Sequence, residues 1–491
     1  MRRQPSRGVA AAAAADPAAA DAPAQPQRSV GGRRTSTSSR RASSTASKAP
    51  QQDGAQAPDK QRPPRRAATT ASKRPAAPAK KRAAAAAAAG RAPPLDAAPL
   101  GGRLAPAYSS GANMPSWQKG RRAGVILHPT SLPGGLGVGD LGPGALAFVD
   151  WLRRAGASLW QVLPLVPPDP EFFSPYSGLD ANCGNPLLVS CDALATEGLL
   201  SDEDLGAARA ELAARQAASP APPSADAAVD FSAVAAVKAP LLAKAARALL
   251  SGPRFQALRD LGFRRWRRAN PWVEDSALFD CLRRRADLEG QMWWEWPRDL
   301  RFREPGALEQ ARRAHRREID EFAAVQFLFD RQWAALKAYA NSRGVGIVGD
   351  MPIYVGGMSA DVWANPGLFE LDAKTLAPRA VSGVPPDAFS ATGQLWGSPL
   401  YRWPAHAKDG YAWWSSRMAR HTALFDETRV DHFRAFAGYW AVDAAATTAM
   451  GGEWRKGPGR ALFDALERRL GKVPILAEDL GVITTDVVEL R

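Results

Sequence analysis

The segments Thr428-Arg-Val-Asp-His-Phe-Arg434 and Val473-Pro-Ile-Leu-Ala-Glu-Asp-Leu-Gly481 share one pattern. In each, β-branched and apolar residues give way to charged residues within a few positions. Short apolar runs that end in polar residues are typical of buried strands and the loops that follow them. Both segments therefore predict a strand with carboxylates at its carboxyl end.

Three earlier segments have the same form and alternate with helical patterns. They lie at residues 123–127, 157–163 and 345–348, and helices are predicted at 145–155, 461–470 and 484–490. Strands that alternate with helices indicate parallel α/β units. The predicted fold is an α/β (β/α)₈ TIM barrel, of which this sequence supplies about five strands. Residues 383–401, rich in Pro, Gly and polar residues, are predicted to form a long loop.

Residues 200–325 have a different, Ala- and Arg-rich character and are predicted to be a mainly helical insertion. Ser201 and Asp204 have the spacing of a capping box at a helix start. The predicted helices cover residues 205–218, 234–250, 255–268 and 308–337, with a Pro-rich break at 219–224. The aromatic cluster at 293–296 is interpreted as core packing rather than as a sugar platform.

These patterns divide the chain into four parts. Residues 1–118 form a tail, residues 119–199 the first part of the barrel, 200–325 the insertion and 326–491 the continuing barrel. The tail is poor in large apolar residues, so disorder is the expectation. Its Arg- and Ser-rich, acid-poor composition is typical of a transit peptide. A solvated tail without function and a nucleic-acid-binding arm are the alternatives.

The distribution of charge separates the tail from the rest of the 491-residue chain. The tail contains 20 of the 64 Lys and Arg residues but only five of the 49 Asp and Glu residues. It therefore carries the whole formal net charge of +15, and the remaining residues have 44 charges of each sign. A neutral body gives no reason to expect nucleic acid as its partner.

The remaining composition excludes several other classes. Three sparse cysteines argue against a disulfide framework and favour a reducing compartment. The five histidines are scattered without zinc-ligand spacing, and no apolar run has the length of a membrane span. The sequence shows no cofactor motif, so we expect neither a cofactor nor a metal, and no membrane partner.

Three charged residues in the opening segments suggest a chemistry. Arg429 and Asp431 are two positions apart on one strand, so they share a face, and an arginine beside a carboxylate favours its ionised form. Glu478 follows an apolar strand, where partial burial would raise its pKa, as a general acid needs. An ordinary salt bridge and a capping glutamate are the alternatives. Together, however, the two motifs favour cleavage of a glycosidic bond by paired carboxylates.

A set of motifs spread over residues 121–491 carries a family resemblance. They include Gly349-Asp-Met-Pro-Ile-Tyr354 and lie at residues 122–131, 160–168, 174–178, 180–185, 349–354, 359–365, 381–387, 392–401, 429–434 and 477–481. In these motifs the chain resembles the 4-α-glucanotransferases of glycoside hydrolase family 77, also called amylomaltases or disproportionating enzymes, in their plastid form.

The resemblance implies a role for each matching residue. Asp431 matches the nucleophile, Glu478 the general acid/base and Arg429 the arginine that orients the nucleophile. The implied substrate-binding residues are Tyr176, Asp350, His432, Trp396, Gln394 and Ser174. The implied reaction is a retaining transfer of α-1,4-glucan between maltooligosaccharides and starch-derived glucans, without a cofactor, in the plastid stroma; the cytoplasm is the alternative.

The sequence departs from the family pattern at its end. Family members continue with three more strands, one of which ends in a Thr-His-Asp-Asn motif with a third essential aspartate, and this sequence has no such motif. We therefore expect a C-terminally truncated fragment or incomplete gene model that is inactive or poorly folded as it stands. Its full-length parent is expected to be an active transferase.

Three other functions compete with glucan transfer. An α-glucan hydrolase would release glucose in excess of transfer products. A catalytically dead glucan-binding protein would bind maltooligosaccharides without turnover. A nucleic-acid-binding function would rest on the tail alone and be salt-sensitive. The oligomeric state is left open by the sequence.

Overall fold

The structure, a computed structural model, describes residues 120–171, 173–218 and 229–491. The predicted tail and the predicted Pro-rich break at 219–224 lie outside the described residues. The described residues form nine strands: β1 (Gly124–Ile126), β2 (Leu159–Gln161), β3 (Gly346–Pro352), β4 (Ala380–Val384), β5 (Gln394–Pro399), β6 (Glu427–Asp431), β7 (Gly438–Asp443), β8 (Glu453–Lys456) and β9 (Ile475–Ala477).

Five strands form a parallel sheet in the order β1-β2-β3-β6-β9. They correspond to the five predicted strands, and helices lie between them along the chain. The central strand β3 is buried along almost its whole length, as a strand covered on both faces must be. Because every neighbouring pair of these strands is parallel, the carboxyl ends of all five strands lie at one edge of the sheet.

Helices occupy most of the remaining described residues. They are α1 (Pro143–Arg154), α2 (Cys191–Thr196), α3 (Asp202–Ala218), α4 (Phe231–Ser251), α5 (Arg264–Ala269), α6 (Trp272–Arg283), α7 (Arg298–Arg301), α8 (Pro305–Ala314), α9 (Arg316–Ser342), α10 (Ala360–Ala364), α11 (Trp403–Lys408), α12 (Ala412–Leu424), α13 (Arg460–Leu470) and α14 (Thr485–Leu490). A π-helical turn at Leu258–Phe263 leads into α5. Short 3₁₀ turns lie at Pro129–Ser131, Pro186–Leu188, Pro253–Phe255, Trp293–Glu295, Pro366–Leu368 and Phe433–Phe436.

The predicted capping box begins α3. The Ser201 Oγ accepts a hydrogen bond from the Asp204 N–H at 3.3 Å, and the Asp204 carboxylate accepts one from the Ser201 N–H at 3.0 Å. The reciprocal bonds satisfy two N–H groups at the helix start. The division of the chain at residues 199 and 325 stays a prediction.

A second sheet corrects the prediction of a long loop at 383–401. This sheet is antiparallel, in the order β5-β4-β7-β8, and β4 and β5 occupy the two ends of the predicted loop. The sequence of β5 contains Pro, Gly and exposed polar residues and lacks the alternation of apolar and polar residues that is typical of a strand. The strand β4 pairs with β7, which is more than fifty residues away, so the pairing has no local sequence signal.

The predicted core role of the aromatic cluster at 293–296 is confirmed for two of its tryptophans. Trp293 and Trp296 are fully buried, and Trp296 packs against Phe279 and Trp363. The Trp293 indole N–H donates to the Gly357 carbonyl at 2.9 Å, as a buried indole requires. Within residues 120–171, 173–218 and 229–491, no helix combines the length and apolar character needed to cross a membrane.

Candidate active site

The carboxyl ends of β3, β6 and β9 bring the predicted catalytic residues together. Asp350 on β3 lies opposite Arg429 on β6, and Pro352 lies opposite Asp431. Glu478 directly follows β9, and its N–H donates to the Val430 carbonyl of β6 at 3.1 Å. Side chains from three neighbouring parallel strands therefore meet at one edge, where barrel folds place their functional groups.

Arg429 bridges two carboxylates. Its Nη1 contacts the Asp350 Oδ1 at 2.7 Å, and its Nη2 contacts the Asp431 Oδ1 at 2.7 Å. The Asp350 side chain is 1% exposed and that of Asp431 is 31% exposed. One guanidinium thus compensates a buried carboxylate and holds an accessible one in place. The predicted pair of Arg429 and Asp431 is present, and Arg429 also pairs with Asp350.

Asp350 receives its other hydrogen bond from a loop outside the sheet. The Tyr176 hydroxyl donates to the Asp350 Oδ2 at 2.7 Å, and the Ser174 Oγ accepts from the Tyr176 N–H at 3.3 Å. Burial raises the pKa of Asp350, and the hydrogen bonds from Tyr176 and Arg429 oppose that rise. Burial and then the charge of Asp350 raise the pKa of Tyr176, so its hydroxyl stays protonated as a donor.

Glu478 is held by main-chain N–H groups rather than by an arginine. Its Oε2 accepts from the His432 N–H at 3.1 Å, and the Leu480 N–H is a further donor. Burial, followed by the negative charge of Asp431, raises the pKa of Glu478, whereas Arg429 opposes the rise. The direction agrees with the one predicted from the sequence. A carboxyl of this kind holds a proton more readily than an ordinary glutamate.

His432 adopts the left-handed backbone conformation with φ of 54°, which is uncommon for a residue other than glycine. It follows β6 directly, and this conformation starts the short turn at Phe433–Phe436. Burial, with a smaller effect of Arg434, lowers the pKa of His432 to about 4, so its imidazole is neutral. Strained conformations of this kind persist where the surrounding structure holds them, commonly at functional sites.

Aromatic side chains lie beside His432. The Trp396 ring meets the His432 ring edge to face at 4.8 Å, and the Trp396 indole N–H donates to the Gln394 side chain at 3.1 Å. The Tyr354 ring lies 6.4 Å from the Trp396 ring and is stacked at 6.0 Å on the Tyr401 ring. Sequence reasoning missed Tyr354. It ends the quoted motif at 349–354, but a single aromatic residue cannot be told from core packing by sequence.

The structure brings all nine predicted residues into two connected groups that meet at the end of β6. One group comprises Ser174, Tyr176, Asp350, Arg429 and Asp431. The other comprises Glu478, His432, Trp396 and Gln394. Their individual catalytic and binding roles stay predictions. Among the described residues, no group of three or more His, Cys, Asp or Glu side chains is placed to hold a metal ion.

Carboxylates at the carboxyl edge of a parallel, barrel-type sheet form the kind of site that glycoside hydrolases use. The family model of the 4-alpha-glucanotransferases (glycoside hydrolase family 77) matches residues 127–491, and the chain belongs to this family. The family resemblance and the barrel-type α/β fold predicted from sequence are therefore confirmed.

Curated relatives and a solved structure agree with this assignment. The chain is 52% identical over 376 residues to the chloroplastic/amyloplastic 4-alpha-glucanotransferase of Solanum tuberosum, covering 76% of this chain and 62% of the relative. It is 49% identical over 397 residues to the chloroplastic/amyloplastic 4-alpha-glucanotransferase DPE1 of Arabidopsis thaliana, covering 81% of this chain and 66% of that relative. The chain thus spans less than two thirds of the length of these plant relatives.

One similar solved structure is an amylomaltase from Streptococcus agalactiae in complex with acarbose. The two structures agree with a TM-score of 0.68 at 35% sequence identity, over 75% of this chain and 71% of that chain.

Proposed function

We propose that the protein is a 4-α-glucanotransferase that transfers α-1,4-glucan segments between maltooligosaccharides in starch and maltooligosaccharide metabolism. One observation carries the proposal. Asp431, which is paired with Arg429, and Glu478 lie at the carboxyl ends of the adjacent strands β6 and β9. Family membership, with relatives that bear this name, supports it.

The proposed reaction is a retaining double displacement. Asp431 attacks the anomeric carbon of the donor glucan while Glu478 gives its proton to the departing 4-oxygen. The glycosidic bond breaks, an Asp431–glycosyl bond forms, and the shortened glucan leaves. Glu478, now ionised, takes the proton from the 4-hydroxyl of an acceptor glucan, which attacks the same carbon and releases Asp431.

The charge environment of each carboxyl suits its step. The Arg429 Nη2 lies 2.7 Å from the Asp431 Oδ1 and holds the attacking carboxylate in place. The raised pKa of Glu478 favours the protonated form that must donate. The same site thus contains a carboxylate held by an arginine and a carboxyl with a raised pKa.

The remaining predicted residues would bind the glucan. Tyr176 would offer its hydroxyl and ring to the donor sugar, with the buried Asp350 holding that hydroxyl at the sugar site. Trp396 and His432 would offer ring surfaces to the glucan, with Gln394 and Ser174 supporting these groups. The proposed partners are maltooligosaccharides and starch-derived α-glucans. The acarbose bound to the Streptococcus agalactiae amylomaltase supports a ligand of this class.

The proposed location is the plastid stroma, with the cytoplasm as the alternative. Both plant relatives are named as chloroplastic/amyloplastic proteins. The Arg- and Ser-rich, acid-poor composition of residues 1–118 supports a transit peptide. Expression of the full-length protein with a C-terminal fluorescent tag tests the location, and a signal confined to the cytoplasm contradicts it.

Incubation of the full-length protein with maltotriose tests the proposed activity. A transferase converts two maltotriose molecules into maltopentaose and glucose, and repeated transfer gives a ladder of longer maltooligosaccharides. A hydrolase gives maltose and glucose without the ladder, and a dead glucan-binding protein gives neither. In the transferase case, Asp431→Asn is expected to lower kcat by at least about 10³-fold, because it removes the nucleophile.

A further inference from the structure

Helix α12 places two arginines in the interior behind the site. The Arg417 side chain is 4% exposed and Arg420 is 9% exposed, and they are three positions apart, so they share a helix face. A buried guanidinium is costly unless it is paired and hydrogen-bonded. The partners of each arginine therefore indicate what it does.

Arg420 has the partners of a structural ion pair. Its two terminal nitrogens contact the two carboxylate oxygens of Asp330 on α9 at 2.7 and 2.8 Å. The remaining Nε donates to the Asn182 carbonyl at 2.9 Å. This bidentate arrangement compensates the charge inside the core and ties α12 to α9.

Arg417 has a different set of partners. Its Nη2 donates to the Pro352 carbonyl at 2.6 Å, and its Nη1 donates to the Ile353 carbonyl at 3.0 Å. The Tyr401 hydroxyl lies 3.3 Å from Nη1 and itself donates to the Ile353 carbonyl at 2.7 Å. In the described part of the chain, no carboxylate oxygen lies within 4 Å of this guanidinium.

The carbonyls that Arg417 holds belong to the exit of β3. Pro352 is the last residue of β3, lies opposite Asp431, and is two positions beyond Asp350 on the same strand face. Two bonds from one planar fork to successive carbonyls fix both the position and the direction of this segment. The other contacts of this guanidinium are uncharged: the Tyr401 hydroxyl, and the rings of Trp413 and Trp414 at 5.5 and 5.3 Å.

We propose that Arg417 is a positioning residue of the active site, which holds the exit of β3 so that the Asp350 carboxylate meets both Tyr176 and Arg429. Through Arg429, this placement sets the orientation of Asp431. The assignment rests on the proposed glucan transfer, because it gives Arg417 a task in that reaction. Arg417 touches no substrate in this account and acts through the main chain.

The test compares Arg417→Met with Arg331→Met in the full-length protein. Arg331 on α9 is similarly buried, but its guanidinium pairs with Glu197 at 3.0 Å. Both variants lose a buried arginine, so both are expected to have a lower Tm. At a temperature where both are folded, Arg417→Met is expected to lose about 10-fold or more in kcat on maltotriose, whereas Arg331→Met keeps kcat within about twofold.

Arg417→Lys serves where the Met variant does not fold. A lysine keeps the charge but cannot hold two carbonyls with a planar fork, so a kcat below that of the wild type is expected. Equal kcat losses in Arg417→Met and Arg331→Met, or full activity in both Arg417 variants, would overturn the assignment.

Crystal structures of the Arg417 variants give a readout that does not depend on turnover. The contact between Arg429 and Asp350, 2.7 Å in the wild-type protein, is expected to lengthen or break. An unchanged contact would overturn the positioning role even in an active enzyme. A wild-type protein that makes no transfer products would instead contradict the proposed function, and the Arg429–Asp350 distance would still decide the role of Arg417.

Discussion

On the β3–β6 side of the site, Asp350 and Asp431 share the guanidinium of Arg429, whereas on the β9 side Glu478 is held by main-chain N–H groups. The first side contains a fixed positive charge and a carboxylate that is almost fully buried. The second side brings no cation into contact with its carboxyl group within the described residues. The difference matches the two tasks that we propose for these carboxyls, which are attack on the donor by Asp431 and proton exchange by Glu478.

The two sides also differ in their support. Asp350 is fixed by Tyr176 and Arg429, and Arg417 holds the strand exit behind it. Glu478 follows the outer strand of the sheet, and the strained His432 backbone presents one of its hydrogen-bond donors. We expect changes on the first side to alter geometry and changes on the second side to alter proton transfer.

Replacement of Glu478 by Gln is the strongest test of the second side. Loss of a general acid lowers rates by about 10²–10⁴-fold, so we expect a kcat loss near 10³-fold on maltotriose. The isosteric amide keeps the shape of the side chain, so the Tm at neutral pH should not fall. A variant that keeps a tenth of the wild-type kcat would show that Glu478 is not the acid.

The same variant also tests the raised pKa of Glu478. A carboxyl with a raised folded-state pKa contributes stability below its unfolded pKa, about 4.3, and loses that contribution as the pH rises through the folded value. The unfolding free energy of the wild type relative to Glu478→Gln should therefore decrease as the pH rises from about 4.3 through the folded-state pKa of Glu478. Urea unfolding of both proteins across that range measures the difference, and a constant difference contradicts the raised pKa.

Replacement of Arg429 by Met tests the bridging charge of the first side. The change leaves the buried Asp350 without its cation and lets Asp431 rotate, so we expect about a 10²-fold loss of kcat. Loss of one partner of a buried pair also destabilises by about 3 kcal/mol, which chemical denaturation measures. Arg429→Lys is the control that keeps the charge without the fork, and it should recover stability more than activity.

Replacement of Tyr176 by Phe removes one hydrogen bond to Asp350. A buried acceptor that loses its donor costs about 1–3 kcal/mol, so we expect about a 10-fold loss in kcat/KM. Tyr339→Phe is the matched control. The Tyr339 hydroxyl donates to Asp150 on α1 at 2.8 Å, and this contact involves no residue of the site. Equal effects of the two substitutions on kcat/KM would contradict a specific role of Tyr176.

Replacement of Trp396 by Leu should have the smallest effect. The change removes a ring contact with His432, and such pairs contribute about 0.5–1.5 kcal/mol, or a few-fold in KM. The KM for maltoheptaose should rise more than that for maltotriose, because a longer glucan covers more of the cleft. Trp151→Leu, at an exposed position on α1, is the control. Equal changes for both glucans would place Trp396 outside the cleft.

Sequence patterns predicted the parallel sheet well because each strand is an apolar run that ends in polar residues. The site followed from the sheet, since parallel strands present their carboxyl ends at one edge and Asp350, Asp431 and Glu478 stand there. The prediction failed where pairing is remote. Strands β4, β5, β7 and β8 depend on partners across the sequence, and their Gly and Pro residues resemble those of a loop.

The sequence also did not predict a break within one of the predicted helices. The predicted helix at 308–337 is two helices, α8 and α9, separated at His315. Neither Gly nor Pro marks that position, so no breaker signal was available. The role that we propose for Arg417 could not be predicted from the sequence either, because every residue has a main-chain carbonyl and a contact to one does not depend on residue type.

In the proposed mechanism, Asp431 forms a covalent glycosyl intermediate while Glu478 exchanges the proton. The most direct measurement is mass spectrometry of full-length Glu478→Gln after incubation with α-maltotriosyl fluoride. Fluoride leaves without a proton donor, but the amide cannot deprotonate the acceptor, so a maltotriosyl ester on Asp431 is expected to accumulate. An adduct on another residue, or turnover of the fluoride with inversion at the anomeric carbon, would contradict the account.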